Sequence, residues 1–155
     1  MSAAVGCVRV ADWKALSLSR GGRSVIEASA GTGKTWTIAA LYLRLLLEEG
    51  FTPRQIVVAT FTDAAASELR ERLRSRLLSA EATAFDAAAT VPTDDAVAIW
   101  LESRWRADPG VRRQDLDRLR LAQAERDVAP IGTLHGLCAR ILREQPFAAG
   151  SSFEY

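Results

Sequence analysis

The sequence predicts an α/β fold, a parallel sheet with flanking helices, and three observations carry that prediction. Two short apolar runs, residues 24–28 and 56–60, bracket a strongly apolar stretch with helical periodicity. A glycine-rich loop joins the first run to that helix. The second run leads into a segment with leucines at every fourth position, Leu69, Leu73 and Leu77. Strand, loop, helix and strand within about forty residues form the βαβ unit of a parallel sheet.

Residues 1–23 read as a weakly structured lead-in that ends in the turn Arg20-Gly21-Gly22-Arg23. Ser24-Val25-Ile26-Glu27-Ala28 reads as a short buried strand. The helix over 35–49 carries Ile38, Leu41 and Leu45 on one face, with Tyr42 and Leu46 beside them, and Gly50 is a natural stop. Thr52-Pro53-Arg54 is a turn, and Ile56-Val57-Val58-Ala59-Thr60 a second buried strand rich in β-branched residues. Thr62 or Asp63 can cap the next helix, whose apolar stripe is Leu69, Leu73 and Leu77. These elements make residues 24–80 the core.

Residues 81–127 turn alanine-rich and then arginine-rich, broken at Pro92 and Pro109, and read as helices in a solvated insertion. Among the tryptophans, Trp100 and Trp105 are neighbours while Trp13 and Trp36 are scattered, so no stacking platform is expected. Residues 128–155 return to the core. Ala129 to Thr133 is a short strand, and Leu134–Glu144 a helix with Leu137, Ile141 and Leu142 inward.

Composition narrows the function classes. The 155 residues are 48% hydrophobic and 25% charged, as in a globular domain. A net charge of +1 gives no bulk attraction to nucleic acid or membrane, so any polyanion site must be local. Only 2 of the 20 basic residues are lysines, Lys14 and Lys34, which makes each worth examining. One histidine and two distant cysteines, Cys7 and Cys138, leave no zinc-type cluster. The N-terminus has no basic segment followed by a long apolar one, and the most apolar stretch, residues 38–47, is half the length of a bilayer span. A cytoplasmic protein without membrane contact is expected.

The segment Ala28-Ser29-Ala30-Gly31-Thr32-Gly33-Lys34-Thr35 has P-loop spacing, with Ala28 at the first glycine position. Gly31 and Gly33 let the backbone curl so that successive N–H groups point at phosphate oxygens, beside the positive end of the following helix. Lys34 would reach the β and γ phosphates, and the Thr35 hydroxyl would ligate Mg²⁺. A strand before the loop and a helix after it are the setting this reading requires. The expected cofactors are ATP and Mg²⁺, with Lys34 and Thr35 as the catalytic pair and residues 28–35 as the binding loop.

A second tract, Val57-Val58-Ala59-Thr60-Phe61-Thr62-Asp63-Ala64-Ala65-Ala66-Ser67-Glu68-Leu69-Arg70-Glu71-Arg72-Leu73, and a third, Gly132-Thr133-Leu134-His135-Gly136, stand in order behind the loop. With Ile26 to Thr35, they resemble the UvrD-like superfamily 1 DNA helicases. Within those, the chain is most similar to the N-terminal part of the RecB-type β subunit of exodeoxyribonuclease V. The resemblance covers residues 24–80 and 129–155 well and the middle poorly. It implies a RecA-like sheet, here incomplete, with ATP hydrolysis coupled to translocation on single-stranded DNA in double-strand break repair and recombination. It also implies the other subunits of an exodeoxyribonuclease V complex as partners.

Read from the residues, Thr60-Phe61-Thr62 follows a strand at its carboxyl end, where open α/β sheets place ligands. Phe61 can stack on an exposed base, or wedge into the core against the next helix. Thr60 and Thr62 can bond phosphate, or serve as strand end and helix cap. His135 stands at a helix start, where a structural role competes with the place along the DNA path that the resemblance implies. Arg70, Arg72, Arg74 and Arg76 interleave with Glu68 and Glu71, the pattern of a solvated helix face. Seven arginines within 104–126 read the same way, although the resemblance implies a helical insertion there that can touch duplex DNA.

Parts of a motor are not legible. No apolar strand ends in Asp-Glu to hold metal and orient water, and no adenine-recognising glutamine stands near the N-terminus; residues 16–19 are Leu-Ser-Leu-Ser. An amino-terminal piece of a longer helicase–nuclease subunit is therefore expected, feeble in hydrolysis by itself. The alternative is a small P-loop kinase with Asp63 binding the phosphoryl acceptor, a reading that leaves the second and third tracts without a purpose.

Overall fold

The computed structural model describes residues 12–18, 23–27, 33–85 and 94–144. Helix α1 (Lys34–Leu47) is followed by a 3₁₀ turn at Pro53–Gln55, strand β1 (Val58–Thr60) and the long helix α2 (Asp63–Phe85). Then come α3 (Ala96–Ala107), α4 (Pro109–Ala124), strand β2 (Ile131–Thr133) and α5 (Leu134–Glu144). A further 3₁₀ turn, Trp13–Ala15, precedes α1. The fold is mixed α/β, mostly helical, around a short parallel pair.

The two strands lie in register, Val58 opposite Ile131 and Thr60 opposite Thr133, with α2, α3 and α4 forming the crossover between them. That crossover is not the one the sequence suggests. Residues 24–27 form no strand, and Val25 is 86% exposed. A strand is held by ladder hydrogen bonds from a neighbour. Among the described residues β1 and β2 bond each other and send none to this segment. Ala28 lies outside the described residues.

The core is helical. Leu43, Leu46 and Leu47 of α1 pack with Leu73 and Leu77 of α2, Val97, Leu101 and Trp105 of α3, and Leu119 and Ala122 of α4. Each fully buried leucine contributes about 1.5–3 kcal/mol. The α2 stripe falls where the four-residue spacing puts it. For α1 the buried face is turned away from the expected one: Ile38, Leu41 and Leu45 are only half-buried. That helix is apolar nearly all round, so periodicity cannot choose a face, and the packing of α2 and α4 does.

The helices of 94–124 keep an exposed outer face but are not wholly solvated. Val97, Leu101 and Trp105 form a stripe that enters the same core, and the arginines around it act as clamps. The Leu47 carbonyl, left without an intrahelical donor by the end of α1, accepts from Arg104 Nη2 (2.9 Å) and Arg118 Nη1 (2.6 Å). Asp115, fully buried, takes Arg104 Nε at 2.8 Å and Trp105 Nε1 at 3.0 Å. Arg112 donates to the carbonyls of Ala84 and Thr83 at the end of α2 and lies over the Trp105 ring. A charged face thus closes helix ends that would otherwise keep unpaired carbonyls.

Gly50 ends the α1 segment with φ +70°, and a side chain there would press on the Arg118 guanidinium at 3.3 Å. Thr62 caps α2, its Oγ1 accepting from the Ala65 N–H at 3.2 Å. Helix α5 has its expected bounds, and Leu137 is buried, but Ile141 and Leu142 are 54% and 52% exposed rather than inward. Three-residue strands span about 10 Å and an eleven-residue helix about 16 Å, so α5 outruns the sheet it packs on.

Tryptophans distant in sequence meet. Buried Arg44 donates Nη1 to the carbonyls of Trp13 (2.7 Å) and Leu16 (2.9 Å), pinning residues 12–16 onto α1. The Trp13 ring then makes edge contacts with Trp36 (5.7 Å) and Trp100 (5.6 Å). The expectation that Trp13 and Trp36 stand apart is corrected by that anchor.

Candidate functional site

The N-terminus of α1 opens onto a cavity of about 700 Å³. Gly33 is the cap, with φ +84° and ψ 21°, a left-handed conformation that glycine adopts without strain. It provides no side-chain acceptor for the N–H groups of the first helical turn, and among the described residues no side chain caps them. Its carbonyl accepts from the Thr37 N–H and hydroxyl at 2.8 and 3.1 Å, fixing the start of the helix. Lys34 and Thr35 line the cavity, and no carboxylate pairs with Lys34 among the described residues. Residues 28–32 of the loop lie outside the described residues, so the structure places only its last three members, Gly33, Lys34 and Thr35.

The opposite wall comes from α2 and the start of α3. Glu68, Arg72, Ser75, Arg76 and Ser79 form a polar stripe on the α2 face turned away from Leu69, Leu73 and Leu77. Asp95 completes the rim as the N-cap of α3, its Oδ1 accepting from the N–H groups of Val97 (3.0 Å) and Ala98 (3.4 Å). Its Oδ2 takes Arg76 Nη1 at 2.6 Å. Burial works to raise the Asp95 pKa, but the Arg76 hydrogen bond and charge, with the two backbone N–H groups, together hold it below its ordinary 3.8. Arg72 meets Glu68 only at 4.0 Å. Trp36 also lines the cavity, with the Arg76 guanidinium 5.9 Å from its ring centre.

These wall residues were not legible as a site. Their spacing, 68, 72, 75, 76 and 79, is the one signal available, and it reads equally well as a solvated face. The geometry can hold an anion of several charges: donors at a helix N-terminus, a lysine and two arginines converge on one space. A threonine hydroxyl at the same end and two carboxylates on the rim suit a hard divalent cation bound together with phosphate. The residues present fit a nucleotide with Mg²⁺.

The second group of candidates sits at one end of the parallel pair. Because Thr60 and Thr133 are in register, the residues after each, Phe61-Thr62 and Leu134-His135, leave the sheet at its same, carboxyl end. Phe61 is 92% exposed, so it is not a core residue. Thr60 ends β1, Thr62 is occupied as the α2 cap, and His135 is exposed in the first turn of α5. Arg70 is not free to serve here, since Nε and Nη2 both donate to the Ile131 carbonyl and tie α2 to β2. Asp63, on which a kinase reading depends, opens α2 and does not line the cavity. No helix among the described residues is long and apolar enough to cross a membrane.

Comparison with known proteins follows the same lines. Residues 9–154 match the family model of the UvrD/REP helicase N-terminal domain. The RecBCD enzyme subunit RecB of Escherichia coli strain K12 is 39% identical over 147 residues, which is 90% of this chain and 12% of that protein. The RecB subunit of Haemophilus influenzae is 40% identical over 141 residues, 84% of this chain and 11% of the relative. That of Mycobacterium tuberculosis is 38% identical over 123 residues, 79% of this chain and 11% of the relative. The chain thus spans about a tenth of the length of these relatives. With the family model matching nearly every residue, this chain belongs to the UvrD/REP helicase N-terminal domain family.

Proposed function

We propose that the chain is the ATP-binding, DNA-contacting portion of a RecB-like helicase. The observation that carries this reading is the uncapped α1 N-terminus, with Lys34 and Thr35 beside it, open to a cavity of nucleotide size. Lys34 neutralises the β and γ phosphates, and the Thr35 hydroxyl joins a Mg²⁺ shell. Backbone N–H groups of residues 28–33 cradle the remaining oxygens. Bound Mg²⁺ supplies charge neutralisation on the phosphates.

Single-stranded DNA passes the carboxyl end of the β pair, where exposed Phe61 offers a ring for stacking and Thr60, Thr62 and His135 offer polar contacts. In the full-length protein, hydrolysis would drive translocation on that strand during double-strand break repair and recombination. The partners would be the other subunits of an exodeoxyribonuclease V complex, in the cytoplasm. The chain by itself hydrolyses ATP feebly, because turnover also needs an acid that orients water and an arginine aimed at the γ-phosphate.

Hydrogen exchange tests the binding site directly. ATP with Mg²⁺ is expected to slow exchange of the first-turn amides of α1, since phosphate oxygens would accept from donors that have no side-chain cap among the described residues. Unchanged exchange over residues 33–37 at saturating nucleotide would contradict the reading.

A further inference from the structure

The cavity wall contains an arginine whose present partner can be replaced by a phosphate. Arg76 commits Nη1 to Asp95 Oδ2 at 2.6 Å, and among the described residues its other donors are uncommitted. A guanidinium carries five donors in a planar fork that suits phosphate oxygens. The same side chain lines the cavity with Lys34 and Thr35. Both wall arginines have a carboxylate on the rim, Glu68 at 4.0 Å from Arg72 and Asp95 at 2.6 Å from Arg76. A polyphosphate, with several charges, competes well against a single carboxylate for such a group.

Asp95 is built to let the arginine go. It binds the α3 backbone through Oδ1 and Arg76 through Oδ2, so losing Arg76 leaves the helix cap in place. What changes is the tether between α2 and the start of α3. A second link runs beside it: Trp36, two residues after Lys34, touches Trp13, and Trp13 touches Trp100 of α3. The start of α3 is therefore tied ionically to α2 and, through the tryptophans, to the phosphate end of α1.

We propose that Arg76 exchanges Asp95 for an oxygen of a bound polyphosphate, and so couples occupancy of the phosphate loop to the seating of α3. This rests on the nucleotide reading above and adds to it a wall residue and a consequence for α3. Arg76 is thereby a phosphate ligand, and Asp95 the positioning residue that competes for it.

Calorimetric titration with inorganic tripolyphosphate and Mg²⁺ tests the exchange without a base. Asn is itself a good N-cap, so Asp95→Asn keeps α3 capped while releasing Arg76. It should bind about 3–10-fold tighter than wild type, and Arg76→Gln about tenfold weaker, the range expected for the net effect of one hydrogen bond. In the Arg76→Gln background, Asp95→Asn should have no effect, which separates release of the arginine from simple loss of a repulsive charge. Near-ultraviolet circular dichroism of the tryptophans should change on ligand addition in wild type and stay flat in Arg76→Gln.

Should Arg76→Gln fail to fold, Arg76→Lys replaces it and should bind more weakly than wild type. Wild-type affinity in the arginine variant, with Lys34→Ala still losing the ligand, would overturn the exchange and leave the phosphate site standing. An equal gain from Asp95→Asn with and without Arg76 would also overturn it. Binding indifferent to Lys34 would overturn both readings.

Discussion

Arg76, midway along α2, and Asp95, the residue that caps α3, meet at 2.6 Å with their side chains 17% and 24% exposed. That pair closes one wall of the cavity into which Lys34 projects, so the same contact bears on stability and on ligand binding. Its contribution to stability has a definite pH dependence. The folded Asp95 pKa lies below the ordinary 3.8, so the pair's full contribution is present above about that value and is lost as pH falls through the lower folded value. Urea unfolding free energies of wild type and Asp95→Asn should differ by about 1.5 kcal/mol at pH 7 and converge well below pH 4. A difference that stays constant down to pH 2 would contradict the assignment.

Asp115 is a different case, because it has no access to water. Replacing it with alanine leaves the Trp105 N–H without its acceptor and the partly buried Arg104 guanidinium with only the Leu47 carbonyl. The expected cost is about 3–5 kcal/mol in denaturant unfolding, with nucleotide affinity of the folded fraction unchanged. A loss under 1 kcal/mol would mean that the α3–α4 clamp contributes little.

Phe61 should show the opposite profile. Its ring is almost wholly in solvent, so Phe61→Ala should shift stability by no more than about 0.5 kcal/mol. If the ring stacks on a base, single-strand affinity by fluorescence anisotropy should fall by about 1–3 kcal/mol with little dependence on sequence. Unchanged affinity would remove Phe61 from the DNA surface.

The sequence carried some of this fold and hid the rest for physical reasons. Leu69, Leu73 and Leu77 were legible because α2 has one apolar stripe among charged residues, and Gly50 because a glycine after an apolar helical run suits the positive φ that ends a helix. The face of α1 was not legible, since a helix apolar on every side is oriented by its partners. Residues 24–27 have strand composition, but composition supplies no neighbouring ladder. The arginines of α3 and α4 suggested solvent because counting charges cannot show that Arg104, Arg112 and Arg118 end on backbone carbonyls. At the site, Lys34 and Thr35 followed from loop spacing. Arg76, Asp95 and the Trp13–Trp36 contact depend on three-dimensional approach, and nothing local announces them.

The central claim is that Lys34 at the α1 N-terminus binds the phosphates of ATP. Calorimetric titration of ATP with Mg²⁺ against wild type and Lys34→Ala tests it most directly, with far-ultraviolet circular dichroism as the check on folding. Lys34 is exposed and outside the core, so its loss should leave the fold intact. The account predicts saturable, one-site binding by wild type and none measurable by Lys34→Ala. Equal affinities of the two folded proteins would contradict it.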